Sequence, residues 1–243
     1  MKSKSILNIA HRGFSSLYPE NTMQAFEQAF KVGADGIECD LRLTADGHIV
    51  IFHDDDLKRL CGCVGSIEKM TLAEVKNLRV KGTEKIPSLD EVLDSFHTNT
   101  LNLEIKPSSR NVVVTENVLR VLTKSRPKGR IVISSFDPEV LETLHLMDPE
   151  RRICELGILV ETPHLSLLPE ASKKLSAQTW NVPKQILNAP WIDRWKGEPI
   201  CPLWVWTMDE PDQWRATVTS KLPVEAIITN KPDALKAFLA GTN

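Results

Sequence analysis

The sequence has no run near the roughly 18 consecutive apolar residues that a membrane-spanning helix requires. Its first ten residues are basic, but their apolar stretch is too short for a secretion signal and leads straight into His11. There is no cysteine framework. Cys39, Cys61, Cys63, Cys154 and Cys201 are odd in number and scattered, and Cys61-Gly62-Cys63 lacks the two-residue gap of a metal-binding pair. Reduced thiols in a cytoplasmic protein are therefore expected. Net charge is also scarce. At -2 it gives neither nucleic acid nor an anionic membrane as a default partner, and no membrane anchor is expected, so any anionic ligand must be held by local basic groups. Finally, no Gly/Ser linker or low-complexity tract interrupts the 243 residues, which favours one domain over 1–243. With 42% hydrophobic and 26% charged residues the chain can bury a sizeable core; its oligomeric state is left open.

What is present is a repeating pattern. Apolar, β-branched-rich runs lie near 6–10, 35–41, 101–105, 131–135, 154–160, 177–181, 202–206 and 225–229. Helical patterns lie at about 22–32, 89–96, 111–124, 138–146, 166–174, 184–195, 210–219 and 232–240. Thr71-x-x-Glu74 and Ser88-x-x-Glu91 read as capping boxes, and Pro138, Pro211 and Pro232 suit first helical turns. Strand-then-helix repeated eight times predicts an α/β fold, a single TIM-type (β/α)8 barrel. The alternative, an open doubly wound sheet, lacks its Gly-rich phosphate loop after the first strand.

One run breaks the rhythm. His48 to His53 follows the second strand after only Thr44-Ala45-Asp46-Gly47, too few residues for a parallel crossover. Asp-Gly favours a two-residue turn, so 48–53 is predicted to return antiparallel as a β-hairpin extension. With Asp46 and Gly47 as the turn, counting outward sets Asp40 opposite His53, and Glu38 shares the Asp40 face.

Chemistry-bearing residues gather at the ends of the first three strands, where a β/α barrel keeps its active site. His11-Arg12-Gly13 offers an imidazole that exchanges protons near neutrality, a phosphate-gripping guanidinium and a residue permitting close backbone approach. Glu38-x-Asp40 and Glu104-x-Lys106 each project two side chains to one strand face. Three carboxylates suit one hard divalent cation, Mg²⁺ or Ca²⁺. An internal salt-bridge network with Arg12 and Lys106 would also account for either pair alone. His53-Asp54 ends the return strand. Coincidence at all seven of His11, Arg12, Glu38, Asp40, His53, Glu104 and Lys106 is much harder to sustain than at any one.

With these residues in view, the sequence resembles the glycerophosphodiester phosphodiesterase family. The resemblance is carried by His-Arg-Gly at 11–13, Pro-Glu-Asn-Thr at 19–22, Gly-Ala-Asp-Gly-Ile-Glu-Cys-Asp at 33–40 and Thr-Ala-Asp-Gly at 44–47. It continues through Phe-His-Asp at 52–54, Pro-Ser-Leu at 87–89, Leu-Glu-Ile-Lys at 103–106, Ser-Ser-Phe at 134–136, Trp-Thr at 206–207 and Ile-Ile-Thr-Asn-Lys-Pro at 227–232. It implies a barrel that hydrolyses small-molecule glycerophosphodiesters to glycerol 3-phosphate and an alcohol with a divalent metal. By the same resemblance His11 and His53 form the acid/base pair, and Glu38, Asp40 and Glu104 hold the metal. Arg12 and Lys106 would then hold the phosphate, and Trp206 would line the substrate. Cys39 replaces a usual aliphatic, Leu41 a usual valine, and Met208-Asp209 stands where Val-Asn is common. The rivals are a lysophospholipase D-like or phosphoinositide-type enzyme on the same barrel, which would need an apolar rim, and a non-catalytic phosphodiester-binding barrel.

Overall fold

The structure, a computed structural model, describes residues 6–188, 195 and 198–241. Eight parallel strands form the expected barrel: β1 (Leu7–His11), β2 (Gly36–Leu43), β4 (Thr100–Ile105), β5 (Ile131–Ser135), β6 (Glu155–Leu159), β7 (Thr179–Pro183), β8 (Leu203–Trp206) and β9 (Val224–Thr229). Pairing of β1 with both β9 and β2 closes the ring. The return strand β3 (Ile49–Ile51) pairs antiparallel with β2, outside the ring. The described helices are α1 (Met23–Lys31), α2 (Lys58–Cys61), α3 (Leu72–Val75), α4 (Leu89–Phe96), α5 (Asn111–Ser125), α6 (Pro138–Met147), α7 (Leu168–Leu175), α8 (Pro211–Thr219) and α9 (Pro232–Ala240).

Period-two alternation sorts each strand's side chains. Ile9, Val132, Trp204, Ala226 and Ile228 pack together as the barrel's inner apolar plug. A much larger apolar layer, including Ile37, Leu103, Ile133, Val182 and Ile227, faces the helices. At the N-terminal end of the strands Arg130 lies over the Trp204 ring at 5.3 Å and pairs with Glu155 and Glu225, sealing that end. The opposite, C-terminal mouth is lined by polar residues, and the chemistry sits there.

The helix starts follow the local signals. Both expected capping boxes form, at Thr71/Glu74 and Ser88/Glu91. Between β3 and α4, residues 54–87 fold as short helical turns over β3, around Val50, Phe52, Leu57, Leu60, Ile67, Val75, Val80 and Ile86. Part of the helix expected at 166–174 is instead a 3₁₀ segment (Thr162–Leu167) leading into α7. The helix expected at 184–195 begins as a 3₁₀ turn (Lys184–Asn188), and most of its remainder lies outside the described residues.

The hairpin register needs correction. Leu41 pairs with Ile51, Arg42 with Val50 and Leu43 with Ile49, so the residue opposite Asp40 is Phe52, whose N–H donates to the Asp40 carbonyl at 2.9 Å. The turn has three residues, 45–47, because Thr44 N–H donates to the His48 carbonyl at 2.8 Å. A two-residue type I′ turn requires positive φ at both central residues; Gly47 adopts it at +87°, and Asp46 does not. The Asp46 carboxylate instead accepts from the Thr44 hydroxyl at 2.7 Å and the Leu72 N–H at 3.0 Å. His53 thus lies one residue beyond its predicted station, at the start of the loop rather than in the ladder.

Candidate active site

Register brings the site together. His11 lies beside Glu38 across β1 and β2, and Asp40 beside Glu104 across β2 and β4. Immediately after β1 the chain turns sharply, with Arg12 at φ 56° and Gly13 at φ 80°. A Cβ at Gly13 would stand 2.7 Å from the Ala25 backbone, so only glycine fits this approach to α1. The left-handed backbone at Arg12, uncommon for a non-glycine residue, directs its N–H to the Glu38 carbonyl at 2.9 Å and the Glu38 carboxylate at 3.1 Å.

Glu38, Asp40 and Glu104 are all buried, and each can offer an oxygen within 4.8 Å of the others. Two cations share this space. Arg12 Nε lies 3.3 Å from Asp40, and Lys106 Nζ lies 2.6 Å from Glu104 and 3.5 Å from Asp40. The internal salt-bridge network therefore exists but does not balance the cluster: there are three acids for two bases, and Arg12 also serves Glu20 at 2.8 Å. Among the described residues, Glu38 Oε1 and Asp40 Oδ1 are buried without a hydrogen-bond donor. Burial, then Asp40 and Glu104, push Glu38 well above the usual carboxylate range. Burial and Asp40 likewise push Glu104 up to about 7. Burial alone would raise Asp40 too, but Arg12, Lys106 and His53, with a 2.7 Å hydrogen bond from Asn21, hold it low. Donorless, mutually repelling oxygens form an all-oxygen cradle of the kind that suits a hard divalent cation.

The histidines flank this cradle in different surroundings. His11 Nε2 points toward Glu38 at 3.9 Å, while Nδ1 meets Asn230 Oδ1 at 2.7 Å. Asn230 is oriented in turn, its Nδ2 donating to Asp209 at 2.7 Å and its backbone N–H to the same carboxylate at 2.8 Å. With the amide oxygen facing the ring, Nδ1 carries the proton and Nε2 keeps its lone pair. Burial, then Arg12, pull His11 down to about 4, so the ring is neutral near pH 7. His53 has a carboxylate partner: Nδ1 lies 2.8 Å from Asp54. Burial lowers His53, and the Asp40 charge and the Asp54 hydrogen bond oppose that shift. Its carbonyl is gripped by Arg42, from Nε at 3.0 Å and Nη2 at 2.7 Å.

Arg59, on α2, ties both sides of the site together. Its guanidinium donates to Asp54 at 2.7 and 2.8 Å and to Glu20 at 2.7 and 2.8 Å. Asp54 orients His53, and Glu20 orients Arg12. The Arg59 hydrogen bond is the chief cause holding Asp54 far below the usual range.

A pocket of about 210 Å³ opens here, and His11, Arg12, Glu38, His53, Glu104, Lys106 and Trp206 all line it. Asp40 lies beneath, 1% exposed. All eight sequence-selected residues are therefore brought to one mouth. Trp206 stacks edge-on against Phe136 at 5.9 Å, and its indole N–H has no partner among the described residues. The lining also holds residues that sequence reasoning missed. Asn102 and Asn181 come from β4 and β7, and both amide atoms of Asn181 are buried without partners among the described residues. A polar residue inside an apolar strand was the signal available for both. Glu20, Asp209 and Asn230 fall within segments singled out in the sequence but carry no role there, and Arg59 lies in none; the contacts of Asn230 with His11 and of Glu20 with Arg59 span 219 and 39 positions.

A closed parallel barrel with titratable groups converging at its C-terminal mouth falls in the class of β/α-barrel enzymes. Comparison identifies the family. The profile of the glycerophosphoryl diester phosphodiesterase family matches residues 11–234, and the chain belongs to that family. A glycerophosphodiester phosphodiesterase of Caldanaerobacter subterraneus is 32% identical over 242 residues, covering 94% of this chain and 96% of the relative. One from Bacillus altitudinis is 31% identical over 238 residues, covering 92% and 94%. Among solved structures, a phosphodiesterase of Oleispira antarctica in complex with the product sn-glycerol-3-phosphate matches with a TM-score of 0.83 at 27% identity, covering 96% of each chain.

Proposed function

We propose that this protein hydrolyses glycerophosphodiesters to sn-glycerol 3-phosphate and an alcohol, using His11 and His53 as the proton-transfer pair. The observation that carries the reading is the contrast between the two imidazoles across one acidic cradle. His11 is neutral and backed by an amide oxygen, which leaves Nε2 free to take a proton. His53 is backed by the Asp54 carboxylate, which opposes the lowering by burial and would steady the imidazolium that gives a proton to the departing alcohol oxygen. Arg12 and Lys106 hold the phosphoryl oxygens and meet the charge that grows on them as the P–O bond breaks. Trp206 forms an aromatic wall beside the glycerol or its leaving group, with an indole N–H still to be satisfied.

Glu38, Asp40 and Glu104 would hold one divalent cation, Mg²⁺ or Ca²⁺, which when bound supplies Lewis-acid polarisation of the phosphoryl group. Support comes from the donorless carboxylate oxygens and from the two acids held above their ordinary range. The same reading takes 1–243 as one catalytic domain acting on a small molecule in the cytoplasm. All five cysteines are free thiols, in keeping with a reducing compartment, and among the described residues no helix is long and apolar enough to cross a membrane.

The test is ³¹P NMR of glycerophosphocholine with purified protein, in chelator and in excess Mg²⁺ or Ca²⁺. Conversion to the glycerol 3-phosphate resonance, abolished by chelator and restored by either cation, is expected. A resonance that never changes in either cation refutes the assignment, and turnover undiminished by chelator refutes the cradle's role.

A further inference from the structure

Asn181, on β7, stands at the closed end of the catalytic pocket with both halves of its amide unsatisfied. It lines that pocket and is wholly buried, yet among the described residues neither its side-chain oxygen nor its nitrogen has a partner. A buried amide left unpaired costs stability, and a leucine of similar shape would fill the place without that cost. Its polar neighbours on the floor are engaged with each other, Ser134 Oγ donating to Asn102 Oδ1 at 3.1 Å. The adjoining strand makes room for the amide: at Gly157 of β6 a Cβ would stand 3.3 Å from Asn181 Nδ2. In register Asn181 faces Trp204 of β8, and Trp206 lies on the same face two residues nearer the mouth. The Trp206 indole N–H, a donor without an acceptor among the described residues, is thus the next polar group up the same wall.

We infer that Asn181 is a specificity-determining residue: its amide holds the terminal hydroxyl of the glycerol moiety, so the site selects diesters in which that hydroxyl is present and free. This rests on the proposed hydrolysis. A hydroxyl both donates and accepts, so a single one can donate to Asn181 Oδ1 and accept from Nδ2. Depth decides which half of the diester reaches the amide. Asn181 and Ser134 are 0% exposed, whereas Phe136 at the rim is 37% exposed. The proposed acid, His53, is the more exposed of the two imidazoles, at 31% against 20% for His11. The departing alcohol therefore lies outward beside His53, and the retained glycerol points inward. Its terminal hydroxyl, farthest from phosphorus, reaches deepest, past the Trp206 indole. Arg12 and Lys106 meet a phosphate that every diester carries, so they select nothing about the glycerol. A site whose buried polar groups are aimed at a substrate hydroxyl rejects the analogue lacking it, because those groups then stay unpaired.

The experiment compares glycerophosphocholine with 2-hydroxypropyl phosphocholine, the analogue that keeps the middle hydroxyl and lacks the terminal one. Wild-type kcat/KM should favour glycerophosphocholine by about tenfold or more. Asn181→Leu and Asn181→Ala should abolish that preference by losing activity on glycerophosphocholine while the analogue is turned over much as before. Asn181→Leu should also unfold in chelator no earlier than wild type, since it removes an unpaired buried amide. The wild-type comparison stands even where a variant does not fold. A smaller wild-type preference, with glycerophosphocholine cleaved normally, overturns the inference and leaves the proposed function standing. Equal losses on both substrates in a folded variant mark a structural role alone and overturn it as well. No turnover of glycerophosphocholine by wild type overturns both.

Discussion

Removing protons from the acidic cradle should make the cation-free protein less stable, and a bound cation should cancel the effect. Burial and Asp40 raise Glu104 from an ordinary 4.5 to about 7, so between those values the folded state holds a proton that the unfolded chain has released. The Glu104 contribution to the stability of the cation-free protein therefore falls as pH rises through this window. His11, held down to about 4, contributes in the opposite direction with or without the cation, so the effect is read as the difference between the two states. At ~1.4 kcal/mol per pH unit the loss from Glu104 approaches ~3 kcal/mol, and Glu38, raised for the same reasons, adds in the same direction. Asp40 is held low and is already ionised, so it contributes no slope there. A cation that binds only the deprotonated cradle removes the penalty, and its binding releases protons. The assay is thermal unfolding from pH 5 to 8, in chelator and in excess Mg²⁺ or Ca²⁺. The gap between the two curves should widen with pH by roughly 6–12 °C, at about 2–4 °C per kcal/mol for a chain of this size. Curves that stay parallel, or a gap that narrows with rising pH, would refute the electrostatic account of the cradle.

Arg59→Ala should lower turnover about tenfold, in the range that outer partners of functional groups command, because Asp54 and Glu20 then lose their shared clamp. Steady-state kinetics would read it, and Arg59 being 45% exposed the unfolding midpoint should move by only a few degrees, about 1 kcal/mol. Asn230→Leu removes the acceptor that fixes His11. Its kcat should drop by roughly 10- to 100-fold with little change in KM, and long-range ¹H–¹⁵N spectra should show His11 losing its single Nδ1–H tautomer. A wild-type kcat would detach Asn230 from the base. Lys106→Met leaves Glu104 and Asp40 short of a cation, at a cost of about 3–5 kcal/mol in unfolding experiments with chelator, part of which a divalent cation should restore.

Much of this arrangement could be read along the chain. The eight apolar runs become the barrel strands because each is buried on both faces, one against the inner plug and one against the helices, and such strands advertise themselves by continuous hydrophobicity. Polar interruptions at Glu38, Asp40 and Glu104 stood out against that background, and the i, i+2 spacing carried them correctly to one face. The hairpin was legible in kind but not in register. One extra turn residue, decided by the Asp46 side chain bonding to Thr44 and Leu72, moved Phe52 into the place expected for His53. His53 still reaches the mouth because Arg42 and Asp54 hold it, and the first of these lies eleven positions away. The orienting partners were invisible for a related reason. Asn230 meets His11 across 219 positions, and Glu20 meets Arg59 across 39, so only closure of the barrel and docking of the 54–87 segment bring them together.

The claim that proton transfer at this mouth cuts the diester is tested most directly by release of glycerol 3-phosphate from glycerophosphocholine by His11→Ala and His53→Ala, each checked for a native unfolding transition. Both folded variants should lose at least about a hundredfold in kcat, the share that a positioned acid or base supplies. A folded variant of either kind working at the wild-type rate would contradict the account.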